Sequence, residues 1–360
     1  MRNDIKAEWN IDETKKKYWG KLRHPFNGGF ELTQKCNFRC VHCYLQNSGY
    51  QEYLSTLQVE QILDKLAEKG ILFLYFTGGE VFTRKDFNEI WLYAKRKGFV
   101  LEILTNASLV SKKTLALFDS YPPAKISVSV YGASEETYQK VTGVKLQYDR
   151  VLKNLQAFKE HGLNFEIKFI GMSENIADFY AVKDIADDFG VEFSHSFELF
   201  PAFGDTKNLS HMLTVEEITA FEKEYEQSRK TWEMNAGEEN FYKKWANDGK
   251  DLPLFACECG TTTCVVDARG YLLPCNKLRV QKFNLLKDSF DEAWDAYAQI
   301  KKIPAPKTYA CLTCKNISVC NPCPAQNFLA TGDYTRPDTN ECALAAMRNE
   351  TFGKKPFGLK

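Results

Sequence analysis

The sequence predicts an α/β fold, a parallel sheet of six strand–helix units followed by a smaller cysteine-rich region. Three observations carry this. From residue 30, short β-rich runs alternate with helical patterns over about 170 residues, and parallel strands need such crossover connections. The twelve cysteines are split, three at 36–43 and nine at 257–342, with none between. At 360 residues the chain has room for one large unit and one smaller one.

The expected strands are "FELTQ" from residue 30, "ILFLYF" (71–76), "VLEILT" (100–105), "KISVSVY" (125–131), "FEIKFIGM" (165–172) and "VEFSHSF" (191–197). Helical patterns fill the gaps. In "STLQVEQILDKLAEKG", Ser55 and Gln58 suit a capping box and Gly70 a stop. Six such units fit a partial barrel, and a flat doubly wound sheet fits the same periodicity. Residues 213–234 read as one polar helix and "EENFYKKWAND" as another, bridging to the cysteine-rich end. There "TCVVDARGYLLPC" reads as a hairpin around "DARG", with Gly270 free for positive φ and Val266 facing Tyr271. That register sets Cys264 opposite Leu273 and, by alternation, on the face of Cys275. Helices are expected near 288–301 and 340–350. So little periodic apolar pattern points to a fold that relies on bound metal.

Lysines plus arginines equal aspartates plus glutamates at 47 each, so no overall charge draws the chain to nucleic acid or an anionic membrane. The longest unbroken apolar run, "ILFLYF", is too short to span a bilayer, and "MRNDIKAEWN" lacks a signal-peptide core. A cytoplasmic protein with no nucleic-acid or membrane partner is expected. Disulfide scaffolds belong to secreted and usually small domains, so the cysteines favour metal or iron–sulfur ligation.

"CNFRCVHCY" places Cys36, Cys40 and Cys43 just after the first strand, at the carboxyl end of the sheet, where α/β folds hold ligands. Structural zinc wants four ligands, and no fourth cysteine is near; His42 lies inside the tight loop. Three thiolates on a 4Fe-4S cluster leave one iron open to substrate or cofactor. The spacing C-x3-C-x2-C resembles the radical S-adenosylmethionine superfamily, and "FTGGE" at the second strand resembles that family's GGE motif. The resemblance implies the partial (β/α)6 barrel and a cluster whose open iron chelates the methionine moiety of S-adenosylmethionine. Its reduction cleaves the sulfonium to a 5′-deoxyadenosyl radical. Gly78, Gly79 and Glu80 would meet the methionine ammonium, glycines for close backbone approach and an acid for a cation. "TNAS" and "SVSVYG" resemble the segments holding ribose and carboxylate, which nominates Asn106 and Ser129. Relatives place an arginine after the fourth strand; here the nearest basic residue is Lys140, and that contact stays open.

"GYLLPC", "CLTCKNISVCNPC" and Cys342 resemble the SPASM extension, the auxiliary iron–sulfur domain of peptide-modifying radical enzymes, with two residues rather than three between the last cysteines of the dense run. The family's order assigns Cys259 or Cys257, with Cys264, Cys275 and Cys323, to a first auxiliary cluster. Cys311, Cys314, Cys320 and Cys342 go to a second. Cys257 is expected to be the spare thiol, since Cys259 stands nearer Cys264. Two zinc sites are the alternative, because four-cysteine spacing alone does not separate zinc from iron. The implied boundaries are an N-terminal arm at 1–27, the barrel at 28–204, a helical bridge at 205–256 and the SPASM domain at 257–360.

The implied activity is oxidative modification of a ribosomally made peptide, with a thioether or carbon–carbon crosslink leading. Sulfatase-type formylglycine formation is second, because Asn276 stands where that group has an aspartate base and an amide takes no proton. Oxidative decarboxylation of a peptide or porphyrin side chain follows. A non-catalytic electron carrier explains the clusters but not the GGE motif. Glu198 and Asp205, at the barrel mouth, are the candidate acid–base residues. The expected partners are a peptide substrate, an external flavodoxin- or ferredoxin-type electron donor and a separate leader-binding protein. Peptide-modifying relatives carry a leader-binding module of roughly 80 to 90 residues, whereas 29 precede "FELTQ" here. The arm with Lys15, Lys16, Lys17, Tyr18 and Trp19 is the candidate contact for an acidic leader.

Overall fold

A computed structural model of the chain describes residues 23–45, 53–202, 206–236, 252–279 and 282–353. Six parallel strands, β1 (Asn27–Thr33), β2 (Phe73–Gly78), β3 (Val100–Thr105), β4 (Lys125–Ser129), β5 (Phe165–Ile170) and β6 (Glu192–Ser196), lie in the order of the chain. A doubly wound sheet reverses strand order part-way and carries helices on both faces. An unreversed order with crossovers of one hand sends every helix to one face, as in a barrel wall, and here the sheet is open, not closed.

The crossover helices are α1 (Thr56–Glu68), α2 (Phe87–Arg96), α3 (Lys112–Ser120), α4 (Glu135–Thr142), α5 (Tyr148–Glu160) and α6 (Phe179–Phe189). The α1 start has the expected reciprocal Ser55–Gln58 capping box, and Gly70 beyond its end takes φ +79°. Val59, Ile62, Leu63 and Leu66 repeat at helical spacing and are buried against the sheet. Trp91 anchors this layer, its ring edge-on to Phe76 and Phe118 and its indole nitrogen donating to the Tyr121 carbonyl at 2.9 Å. The opposite, concave face is polar. Ser127, Glu166, Lys125, Lys168 and Glu192 form one network there, with Lys125 2.7 Å from Glu166 and 3.0 Å from Glu192.

The expected helix over 213–234 is two, α7 (Val215–Glu224) and α8 (Glu226–Asn235). The break at extended Tyr225 lets its ring enter an aromatic cluster with Phe179, His195 and Phe221. "EENFYKKWAND" lies outside the described residues, as does the arm with Lys15, Lys16, Lys17, Tyr18 and Trp19.

The cysteine-rich region continues the same sheet. Strand β7 (Thr263–Val266) pairs parallel with β1, then β8 (Tyr271–Leu273) and β9 (Phe283–Asn284) follow antiparallel. The hairpin register differs from the expected one. Val266 pairs with Leu272 and Val265 with Leu273, because Asp267 and Tyr271 close a three-residue loop in which Gly270 takes φ +87°. That shift by one residue removes the argument for placing Cys264 opposite Leu273 and beside Cys275. Helices α9 (Phe290–Ala298), α10 (Pro324–Thr331) and α11 (Thr339–Phe352) complete the region. Arg348 on α11 clasps Glu222 on α7 and covers the Trp232 ring at 3.9 Å, fastening the C-terminal end to the bridging helices. Among the described residues no helix is long and apolar enough to cross a membrane.

Candidate functional site

Cys36, Cys40 and Cys43 occupy the loop leaving β1, and two backbone bonds from Arg39 and Val41 to Thr142 and Val141 hold it against the end of α4. The three thiols face one another. Burial, then mutual repulsion, raises Cys40 well above the ordinary thiol range; burial above all pushes Cys36 up to about 12 and raises Cys43. Thiols so placed gain most from a metal that takes them as thiolates.

The "GGE" segment packs directly on this loop. A Cβ on Gly78, which takes φ +131°, would lie 2.1 Å from the Thr33 carbonyl oxygen, and one on Gly79 would lie 2.3 Å from that of Lys35. Only glycine permits this approach, and the amides of Gly79 and Glu80 donate to those same two carbonyls at 2.8 and 2.9 Å. The Glu80 side chain is fully buried and turned to the strand ends. It accepts the Thr105 hydroxyl at 2.8 Å, the Asn106 amide at 2.7 Å and the Phe82 amide at 3.1 Å. Burial outweighs these donors and pushes its carboxyl up to about 7.

Asn106 is brought to the cysteine loop, with its side-chain nitrogen 4.0 Å from the Cys36 sulfur and donating to Asn37 at 3.1 Å. Its side-chain oxygen accepts the Ser108 amide and hydroxyl at 2.9 and 2.7 Å, across Ala107 at φ +56°. Ser129 ends β4 and bonds the Tyr131 hydroxyl, which also contacts the Cys40 thiol. Sequence reasoning passed over Asn37, Thr105, Ser108 and Tyr131, although all four lie within two positions of a nominated residue in the quoted motifs. Lys140 is an exposed partner of Glu136 on α4, whereas Lys168 stands opposite Ser129 in the ladder on the concave face, 3.0 Å from Glu166.

A buried ion pair joins this site to the cysteine-rich region. Glu31 on β1, fully buried, takes two bonds from Arg279, and Tyr44, directly after Cys43, donates to the same acid at 3.3 Å. Asn276, directly after Cys275, donates to the Tyr75 hydroxyl at 3.3 Å. An acid set between Phe30 and Leu32 in β1 was the available signal for Glu31.

In the C-terminal region the thiols form two neighbourhoods. Cys311, Cys314, Cys320 and Cys342 interact electrostatically with one another. Cys257, Cys259 and Cys275 touch through the Cys259 thiol, whose contact draws Cys257 and Cys275 below the ordinary range, and Cys323 lies close to Cys275 and Cys257. Glu198 is ion-paired with Lys277 at 2.8 Å and lines a small cavity with Cys311, Cys320, Cys323 and Cys342, so it stands by these cysteines. Asp205 lies outside the described residues.

The donor set fits iron–sulfur clusters. No three His, Cys, Asp or Glu side chains among the described residues converge as a single-ion site requires. A 4Fe-4S cube takes each thiolate on a separate iron, so its thiols need to share a neighbourhood, not a point. Gln34 Oε1 and His42 Nδ1, beside and within the cysteine loop, are buried and without a hydrogen-bond partner among the described residues.

Residues 30–185 match the family described as the Radical SAM superfamily. The AdoMet-dependent heme synthase of Methanosarcina barkeri is 26% identical over 85% of this chain and 93% of its own length. The antilisterial bacteriocin subtilosin biosynthesis protein AlbA of Bacillus subtilis is 26% identical over 76% of this chain and 60% of its own. The crystal structure of Streptococcus suis SuiB bound to S-adenosylmethionine shares the fold with a TM-score of 0.67 at 17% identity, over 91% of this chain and 81% of that one.

Proposed function

Because the chain is an enzyme of the radical SAM superfamily, we propose that it oxidatively modifies a ribosomally made peptide, forming a thioether or carbon–carbon crosslink. The observation that carries this reading is the attachment of the cysteine-rich hairpin to β1, which joins the thiol-rich region to the strand that leads into the cysteine loop. SuiB, which shares the fold, is also described bound to the precursor peptide SuiA. When bound, the loop cluster and S-adenosylmethionine supply a hydrogen-abstracting 5′-deoxyadenosyl radical.

Cys36, Cys40 and Cys43 hold that cluster. Gly78, Gly79 and Glu80 receive the methionine ammonium, and Asn106 and Ser129 the ribose and carboxylate. Eight of the nine C-terminal thiols hold two auxiliary 4Fe-4S clusters, which accept the electron left on the substrate or anchor it. A flavodoxin- or ferredoxin-type protein supplies the reducing electron, and the leader is held by a separate small protein or a groove of this chain. Glu198 and Asp205 are the acid–base candidates.

A second reading, oxidative decarboxylation of a porphyrin propionate, is favoured by the full-length likeness to the heme synthase. One experiment separates them. The anaerobic protein is incubated with S-adenosylmethionine, a reductant and either the small peptides encoded beside its gene or a propionate-bearing porphyrin, then analysed by mass spectrometry. Loss of two hydrogens from a peptide supports the first reading; loss of carbon dioxide together with two hydrogens from the porphyrin alone replaces it with the second.

A further inference from the structure

Nine C-terminal thiols are one more than two four-thiolate clusters need, so one of them binds no metal. Family order leaves Cys257 and Cys259 as alternatives and spacing makes Cys257 the spare, but the packing points elsewhere. Cys259 belongs to the small core of the cysteine-rich region, with Leu254, Phe255, Leu278 and Tyr309, and Cys275 and Cys323 pack against it. Cys264 belongs to a different core. It is 2% exposed and lies with Val266, Leu272, Phe290 and Tyr297 in the barrel's own apolar layer.

Strand geometry explains the separation. Alternation along β7 puts Cys264 on the face of Val266, and the observed register continues to set it opposite Pro274, one residue short of Cys275. Cys257 is built into the other neighbourhood. Gly260, at φ +66°, turns the chain just after Cys259, and the Cys257 and Cys259 thiols are in contact despite the single residue between them. The Lys301 ammonium pins this segment by bonding the carbonyls of Phe255, at 2.6 Å, and Cys257, which leaves a cation beside the place where an anionic cluster would sit.

We propose that the first auxiliary cluster of this chain is held by Cys257, Cys259, Cys275 and Cys323, and that Cys264 is a core thiol that binds no metal. The assignment rests on the reading of two auxiliary clusters. It makes Cys-x-Cys, not Cys-x4-Cys, the ligand pair at the entry to the hairpin, and it removes from the auxiliary site the one C-terminal thiol that belongs to the barrel core.

The test is iron and acid-labile sulfide per chain in the full-length protein, purified and reconstituted without oxygen. The wild-type chain should hold about twelve irons; about four would reject the two-cluster reading itself, separately from the ligand assignment. Cys264→Val, which keeps the volume and apolar character of the buried site, should retain the full iron content and the circular dichroism of the wild type. Cys257→Ala should lose about four irons and keep about eight, the kept irons reporting that the fold survives. Cys264→Ala serves if the valine variant is insoluble. A folded Cys264 variant depleted of iron overturns the assignment, and so does Cys257→Ala with its iron intact.

Discussion

The Glu80 carboxylate accepts the backbone amide of Asn106 at 2.7 Å, tying the end of the second strand to the end of the third through a fully buried acid. The fold holds the Glu80 proton up to about pH 7, whereas an unfolded chain releases it near 4.5. This contribution is complete below about pH 4.5 and is lost as pH rises through about 7, a swing of about 3 kcal/mol. The stability of the wild type relative to Glu80→Gln is therefore expected to fall between about pH 4.5 and about pH 7 and to level off above that in denaturant unfolding. A difference that does not change with pH would show a carboxylate ionised throughout.

Gly79 is expected to tolerate no side chain. Its Cβ would meet the carbonyl of Lys35, the residue before Cys36, and backbone cannot rotate away as a side chain can. Gly79→Ala should cost about 3 kcal/mol, the upper end for overpacking, and lower the iron retained by the loop. Gly98→Ala is the control, because at φ +92° with nothing within 4 Å it carries backbone strain alone, about 1 kcal/mol. Thermal midpoints and iron content of the two variants should separate clearly.

The Glu31–Arg279 pair should behave as a buried ion pair. Arg279→Met leaves an uncompensated carboxylate inside the protein, at a cost of about 3–5 kcal/mol, and adding Glu31→Gln should recover most of it. A double-mutant cycle in urea measures this, and additive losses would show that the two groups are not coupled.

Replacing Cys36, Cys40 and Cys43 together with alanine should remove about a third of the iron and all cleavage of S-adenosylmethionine. Iron analysis and assay of released 5′-deoxyadenosine check it. Cleavage that persists in this variant would place the radical chemistry on another cluster.

Much of the architecture was legible because each signal was local. The strand over 100–105 occurs at its expected bounds, since alternation along "VLEILT" records a one-sided burial that the parallel sheet preserves. The cysteine loop, the glycines and Asn106 were legible because close backbone approach and soft-metal ligation admit few residue types. Tyr131 and Ser108 were not singled out, because a hydroxyl at a strand end reads the same whether it faces solvent or a buried thiol.

Local pattern and spacing were enough for an α/β chain with a thiol loop at the carboxyl end of its first strand and a second, thiol-rich region downstream. Contacts distant in sequence decided the rest. The second region extends the barrel sheet because β7 meets β1, some 236 residues away by the Asn27–Thr263 pairing, and no periodicity within either strand encodes that partner. The same holds for Glu31 and Arg279, which stabilise each other only once the fold has removed both from water. The spare thiol follows this pattern. Sequence distance set Cys259 near Cys264, but alternation on the strand turned Cys264 into the apolar layer, while the bend over Cys257 and Glu258 keeps Cys257 beside Cys259.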